Sequence, residues 1–300
     1  MSPDTGNNRR AVATLALFAG AAAIATAPLF VRWSETGPIA TAFWRIALAL
    51  PLLWGWSLFE QRGRHAASFA ANRRLLVLAG LFFAADLAVW HWSIVLTSVA
   101  NATLLSNLAP IFVTLAAWLL FGRRPAGQFL VGLAAALAGV ALLIGGDFTL
   151  GRGALLGDAL GVLTAVFYAA YQITVTRLRS RVATSSLMAW SGVFMAVPLL
   201  ALALVTGERI LPSTPSGWMT VAALAIIAQA GGQSLIAYAM AHLPGTFSSV
   251  GLLLQPVVAA LLAWVLLGEA LGGIAIAGGI AVLAGIAIAH RAELGAAGKA

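Results

Sequence analysis

Ten apolar runs, each close to twenty residues long and parted by short charged or Gly- and Pro-bearing breaks, fill this 300-residue chain almost end to end. They cover about 11–31, 38–59, 74–97, 100–121, 128–146, 153–176, 184–206, 217–241, 246–267 and 271–290. A helix of ~20 residues rising 1.5 Å per residue crosses the ~30 Å of a bilayer's hydrocarbon. Membrane strands would show alternating segments of ~10 residues, and these runs do not alternate. Charged residues make up only 9% of the chain, against about 25% in soluble domains, so its surface cannot be built to face water. The expected fold is an all-α polytopic membrane protein with ten transmembrane helices. Arg9 and Arg10, the apolar run after them and Ala25-Thr26-Ala27 imitate a cleaved signal peptide. Pro28 directly after that site disfavours cleavage, so the segment reads as the first span.

Arginine placement orients the bundle. With the N-terminus cytoplasmic, one side collects Arg9, Arg10, Arg62, Arg64, Arg73, Arg74, Arg123, Arg124, Arg177, Arg179, Arg181, Arg291 and Lys299. The far side holds Arg32, Arg152 and Arg209, and Arg45 falls inside a span. This bias puts both termini in the cytoplasm of a cell (inner) membrane. The net charge of +8 is then an orientation signal in loops, not a patch for nucleic acid. The chain has no cysteine, which excludes disulfides, thiolate metal sites and thiol nucleophiles. The expected partners are the lipid bilayer and a small-molecule substrate, with no nucleic acid, no cofactor and no metal, and a monomer is expected.

The stretch "PIFVTLAAWLLFG" at 110–122 returns as "PVVAALLAWVLLG" at 256–268, 146 residues later. The same shift lays Gly132 on Gly278, Gly139 on Gly285 and Trp44 on Trp190. Duplication divides the chain into residues 1–146 and 147–300, each with five spans. Five is odd, so the second copy enters the membrane from the opposite side. Such inverted repeats give many secondary transporters their two alternately open states.

Two five-helix halves, the Pro…Trp…Gly fourth helix, Gly268-Glu269 and Arg45 in the second span resemble the drug/metabolite transporter superfamily, in its ten-helix EamA-type branch. The first half departs from that pattern, with Gly122-Arg123-Arg124-Pro125 where the second has Gly268-Glu269. The run Phe167-Tyr168-Ala169-Ala170-Tyr171 and the fourth-span pattern ending at Pro110 are most similar to aromatic amino-acid exporters within the branch. The resemblance implies a secondary exporter of small metabolites, amino acids foremost, working by alternating access.

Ionisable groups inside spans are costly, and each is a functional candidate. Asp86 sits at the centre of the third span, with Trp90 one turn on, where a carboxylate and a ring can hold an ammonium together. His91 points about 140° away from Asp86, which suits helix packing as well as a ligand. Arg45 can face a substrate carboxylate or pair with an acid. Thr103, Asn107, Pro110, Thr114 and Trp118 form one stripe in the fourth span. Thr164, Tyr168, Tyr171 and Gln172 cluster in the sixth, and Gln229 and Gln233 stand beside Gly231-Gly232 in the eighth. Each of these side chains alone suits an interhelical hydrogen bond worth about 0.6 kcal/mol. As a set they suit a cavity for a small zwitterion with an apolar or aromatic side chain.

Pro110 and Pro256 lie in mid-span, where proline removes a backbone bond and invites a hinge. Asp158 is expected to serve its helix N-terminus. The spacings Gly153, Gly157, Gly161 and Gly268, Gly272 are expected to mark close helix approach. An intramembrane enzyme would need paired carboxylates, a HExxH helix or a Ser-His set, and an ATP-driven pump a P-loop; the sequence holds none of these. The first span carries no carboxylate, so a uniporter is expected, with proton coupling through Asp86 as the alternative.

Overall fold

The computed structural model describes residues 3–61, 65–97, 99–144, 152–268 and 271–297, and every regular element among them is helical. In chain order they are α1 (Pro3–Ile24), α2 (Ala27–Trp33), α3 (Pro38–Ala47), α4 (Leu50–Gln61), α5 (His65–Leu96), α6 (Val99–Ser106), α7 (Ala109–Phe121) and α8 (Gly127–Ile144). There follow α9 (Arg152–Arg179), α10 (Thr184–Val205), α11 (Pro215–Ala223), a π-helical stretch Leu224–Gln233, α12 (Ser234–Ala239), α13 (Gly245–Gly251), α14 (Leu254–Leu267) and α15 (Gly273–Ala297). Among the described residues nine stretches are long and apolar enough to cross a membrane. Several join two short helices, as in Asn8–Trp33, Pro38–Glu60, Ala102–Phe121 and Gly245–Leu266. Apart from these nine stands α5, 32 residues long, which carries Arg73, Arg74 and Asp86 and packs on α9 and α10.

Proline decides where the two-part stretches break. Pro28, Pro51, Pro110 and Pro256 each lie in the first turn of a helix that starts after a two-residue turn. The amides of a first turn have no acceptor within the helix, so proline there gives up no helix bond. Pro110 and Pro256 are therefore helix starts and not kinks inside continuous helices. Gly122 (φ 64°) and Gly268 (φ 69°) close the same two helices in the left-handed conformation that favours glycine. Gly268 and Gly272 meet no neighbour within 4 Å of an added Cβ, so the expected close approach at that pair is corrected to a helix cap. Glu269 and the packing of Gly153 lie outside the described residues.

In lipid the contacts between helices come from close packing of small residues. The tightest seam joins α8 to α15. Gly132 meets Gly285 and Ala289, and Gly139 meets Gly278 and Val282, so near that an added Cβ on Gly139 would lie 2.5 Å from the Val282 nitrogen. The earlier glycine of each helix meets the later one of the other, so the two run antiparallel. Because the four positions are two pairs 146 residues apart, one surface is used twice, as in a two-fold contact. Gly157 sits against Leu96 and Thr97, and Gly161 against Leu105, which matches the expectation for that spacing. Asp158 accepts a hydrogen bond from the Thr97 hydroxyl at 2.7 Å; it ties α9 to the end of α5.

At one end of the bundle two loops hold each other. Glu208 accepts the Ala40 amide at the start of α3 at 2.8 Å, and the Gly37 amide donates to the Arg209 carbonyl at 3.0 Å. In the reverse direction Glu35 accepts the Thr214 hydroxyl and the Ser213 and Thr214 amides beside the start of α11. These donors, the Thr214 hydroxyl first, hold the Glu35 carboxyl below its ordinary range.

Candidate functional site

Two cavities lie within the bundle. The first, about 220 Å³, lies in the half that holds the 34–37 and 207–214 loops. Arg45 from α3 and Phe83, Asp86 and Trp90 from α5 form part of its wall. Thr103 and Asn107 from the α6–α7 break, Thr164 and Tyr168 from α9, Gln233 from the π-helical stretch, and Gln255 and Pro256 from α14 complete its polar side. The second, about 480 Å³, lies in the opposite half. Its lining includes Thr114, Arg123, Arg124, Phe129, Gln172, Arg177, Thr246 and Glu293.

The septum between them is thin. On α9, Tyr168 borders the first cavity and Gln172, four residues on, the second. On the α6–α7 stretch Asn107 borders the first and Val113 the second. On α9 one helical turn, about 6 Å of rise, separates the two spaces, and on the α6–α7 stretch the step is six residues. Tyr171, fully buried, fills this layer, with its ring 4.7 Å from Phe83 and its hydroxyl accepting the Gln233 side-chain amide at 2.9 Å. Pro110 is buried in the same layer at the start of α7.

Arg45 and Asp86 face the first cavity from neighbouring helices. The Arg45 guanidinium lies over the Phe83 ring, 5.8 Å from its centre, and its Nε donates to Gln229 Oε1 at 3.1 Å. Among the described residues the Asp86 carboxylate has no hydrogen-bond partner and makes no ion pair with Arg45, although the two charges are near enough to act on each other. Two buried hydrogen-bonding atoms on the same wall have no partner among the described residues, Thr164 Oγ1 and Gln233 Oε1. Buried polar atoms are nearly always satisfied, so these atoms leave hydrogen-bonding capacity open on the cavity wall.

Of the residues singled out in the sequence, Arg45, Asp86, Trp90, Thr103, Asn107, Thr164, Tyr168, Gln233 and Pro256 are brought together on the first cavity. Tyr171, Gln229, Gln172, Pro110, Thr114 and Trp118 are not. Tyr171 and Gln229 stand behind the wall and hold Gln233 and Arg45 in place. Gln172 points to the second cavity, because one turn of α9 carries it past the septum. The stripe on the fourth stretch also divides: the turn at Asn107–Leu108 sends Thr114 to the second cavity, and Trp118 lies 46% exposed on the outer face. The His91 side chain lies outside the described residues. The sequence reading passed over Phe83 and Gln255. Phe83 stands three residues before Asp86 on the same helical face, and Gln255 is a lone glutamine before a mid-span proline; both signals were there to be read.

The π-helical stretch had no signal in the residue pattern. Such wide turns are rare and gather at functional sites. Here one delivers Gln229 to Arg45 and Gln233 to Tyr171 from a single helix.

A bundle of apolar helices that encloses two cavities carrying a few polar and charged side chains on otherwise apolar walls is compatible with a membrane transporter. The chain belongs to the EamA-like transporter family, which matches residues 11–145 and, a second time, 155–290. It is 27% identical over 248 residues to the pseudopaline exporter CntI of Pseudomonas aeruginosa, covering 82% of this chain and 84% of that protein. It is 29% identical over 207 residues to a probable terminal-alkyne amino-acid exporter of Streptantibioticus cattleyicolor, covering 68% of each. An uncharacterized transporter of Archaeoglobus fulgidus is 26% identical over 250 residues, covering 80% of this chain and 85% of the relative. A crystal structure at 19% identity superposes with a TM-score of 0.79 over 94% of this chain and 97% of the other, a likeness of fold.

Proposed function

We propose that this protein exports amino acids, with aromatic or other apolar side chains foremost, as an alternating-access uniporter of ten spans in two inverted halves. The observation that carries the reading is the first cavity's pairing of Arg45 with Asp86. A free amino acid carries one carboxylate and one ammonium, and the cavity offers one guanidinium and one unpartnered carboxylate. Phe83, Trp90 and Tyr168 supply ring faces for the ammonium and for an apolar side chain. The amino-acid and pseudopaline exporters among the relatives support the substrate class. The two family matches and the antiparallel seam of α8 and α15 support inverted halves, divided near residue 146, with α5 as the third span.

The test is flux of labelled phenylalanine in liposomes holding the purified protein. Uniport predicts that phenylalanine runs down its gradient, that a pH gradient drives no accumulation, and that Asp86→Asn and Arg45→Gln each abolish flux. Accumulation driven by a pH gradient and lost in Asp86→Asn overturns uniport in favour of proton coupling. The specific support for that second reading is the Asp86 carboxylate standing without a partner in the cavity. If no amino acid moves, the substrate class is wrong. Sidedness has its own test in this cysteine-free chain: Arg124→Cys is expected to react with an impermeant maleimide from the cytoplasmic face, and Leu271→Cys from the outer face.

A further inference from the structure

The second cavity repeats the chemistry of the first with different residues. Arg123, Arg124 and Arg177 bring positive charge to it, and Glu293 brings one carboxylate, held by the Thr246 hydroxyl at 2.9 Å. Arg177 lies over the Phe121 ring, 4.6 Å from its centre, which holds the guanidinium at the cavity edge. The floor is Gln172, only 1% exposed, with both its amide nitrogen and its amide oxygen unpartnered among the described residues. A buried amide with both atoms unmet is costly, and at the floor of a cavity a polar guest can satisfy it. Val113, Ala117, Phe129 and Ile173 make the rest of the wall apolar. Arginine, carboxylate, amide and apolar wall form the same four-part set that Arg45, Asp86, Gln233 and Phe83 form beyond the septum.

We propose that the second cavity is a loading site that binds the free amino-acid zwitterion before it crosses the septum. The carboxylate meets Arg124 and Arg177, the ammonium meets Glu293, and the Gln172 amide bridges the two at the floor. This rests on the reading of the protein as an amino-acid exporter and adds a second site to it. The pair Arg123-Arg124, where the second half has Gly268-Glu269 at the matching loop, then places positive charge where the substrate carboxylate first arrives.

The experiment measures labelled phenylalanine flux in liposomes of fixed orientation, loaded in turn from each face. Arg124→Gln, Arg177→Gln and Gln172→Leu are each expected to raise KM about tenfold, equivalent to about 1.4 kcal/mol, when substrate is supplied at the arginine-bearing face. KM from the other face is expected to hold, with Vmax/KM staying equal from the two faces as uniport requires, and unchanged size-exclusion behaviour shows that the variants are folded. Arg177→Lys is expected to recover part of the loss, and Arg181→Gln, exposed at the same end but outside the cavity, to change nothing. Unchanged KM in all three variants, with the wild type active, overturns the loading site and leaves the exporter reading standing. A rise of equal size in Arg181→Gln also overturns it, since general surface charge then accounts for the effect. A wild-type protein that moves no amino acid overturns both.

Discussion

The seam between α8 and α15 and the septum between the two cavities are built from opposite materials. At the seam the two halves of the chain present the same residues to each other, Gly132 and Gly139 against Gly285 and Gly278, with backbones almost touching. At the septum equivalent positions differ. Asn107 borders the first cavity and Thr114 the second, whereas 146 residues later stand Leu253, buried in the core, and Ala260. Side-chain hydrogen bonds from other elements, Gln229 to Arg45 and Gln233 to Tyr171, hold the layer instead. Identity across the duplication thus falls on the close-packed seam, and divergence falls on residues that border the two cavities. The two kinds of contact also respond differently to change, since a close-packed seam has no room to give, while a hydrogen-bonded layer next to cavities can exchange partners.

The largest effect is expected at the seam. A methyl added at Gly139 lands on backbone atoms of α15 that cannot swing away, and overpacking of this kind costs about 1–3 kcal/mol. Gly139→Ala is expected to lower thermal stability in detergent, read by monodisperse size-exclusion after heating, while KM in liposomes stays within twofold. Gly139→Leu is expected to yield no folded protein. A Gly139→Ala protein as stable as the parent would mean that α8 and α15 do not approach as described.

An effect on transport and not on folding is expected from Gln229→Leu. The change leaves the Arg45 Nε without its acceptor inside the bundle, and a hydrogen bond to a charged group is worth about 1.5–3 kcal/mol. Released from Gln229, the guanidinium is free to turn to Asp86 and quench the charge that a substrate needs. KM is expected to rise by about tenfold or more, with only moderate loss of stability. The reverse, lost stability with unchanged KM, would make Gln229 part of the scaffold and weaken the division between seam and septum.

Much of the scaffold was legible because rare residues mark it. Proline and glycine at a fixed offset gave the duplication, and in the structure they prove to be helix starts, helix caps and the seam. The charged residues of the first cavity were legible for a similar reason: Asp86 and Arg45 stand out in an apolar chain. The wall behind them was not. Which side of α9 faces which cavity depends on where one turn of septum falls, so Tyr168, Tyr171 and Gln172 are alike in sequence and play three parts in space. The π-helical stretch depends on backbone hydrogen bonds that no residue spacing reports. The broken stretches have the same origin, since proline shows that a helix bond is missing but not whether the chain bends or restarts.

Tyr171→Phe sharpens the comparison further. It removes one hydroxyl from the middle of the septum and leaves the ring against Phe83. A neutral hydrogen bond of this sort contributes about 1 kcal/mol, enough for a roughly fivefold shift between two balanced states. If the Gln233 bond holds the septum in one of its arrangements, the ratio of maximal flux in the two directions is expected to change by about that factor, with stability nearly constant. Equal changes in both directions would make the bond a plain packing tie.

The smallest effects are expected from the most conspicuous shared letters, Trp118 and Trp264. Both lie on the outer face, 46% and 52% exposed, four residues before the glycine that ends each helix. Tryptophan at that depth suits the boundary between hydrocarbon and head groups, and outward side chains away from special contacts contribute within about 0.5 kcal/mol. Trp118→Leu and Trp264→Leu are therefore expected to leave melting behaviour and KM unchanged within error. Their agreement across the duplication then reflects a helix that must meet the same lipid interface in both halves. A KM shift of more than twofold in either variant would show that this face touches something other than lipid, and the shared tryptophans would move from the architecture to the substrate path.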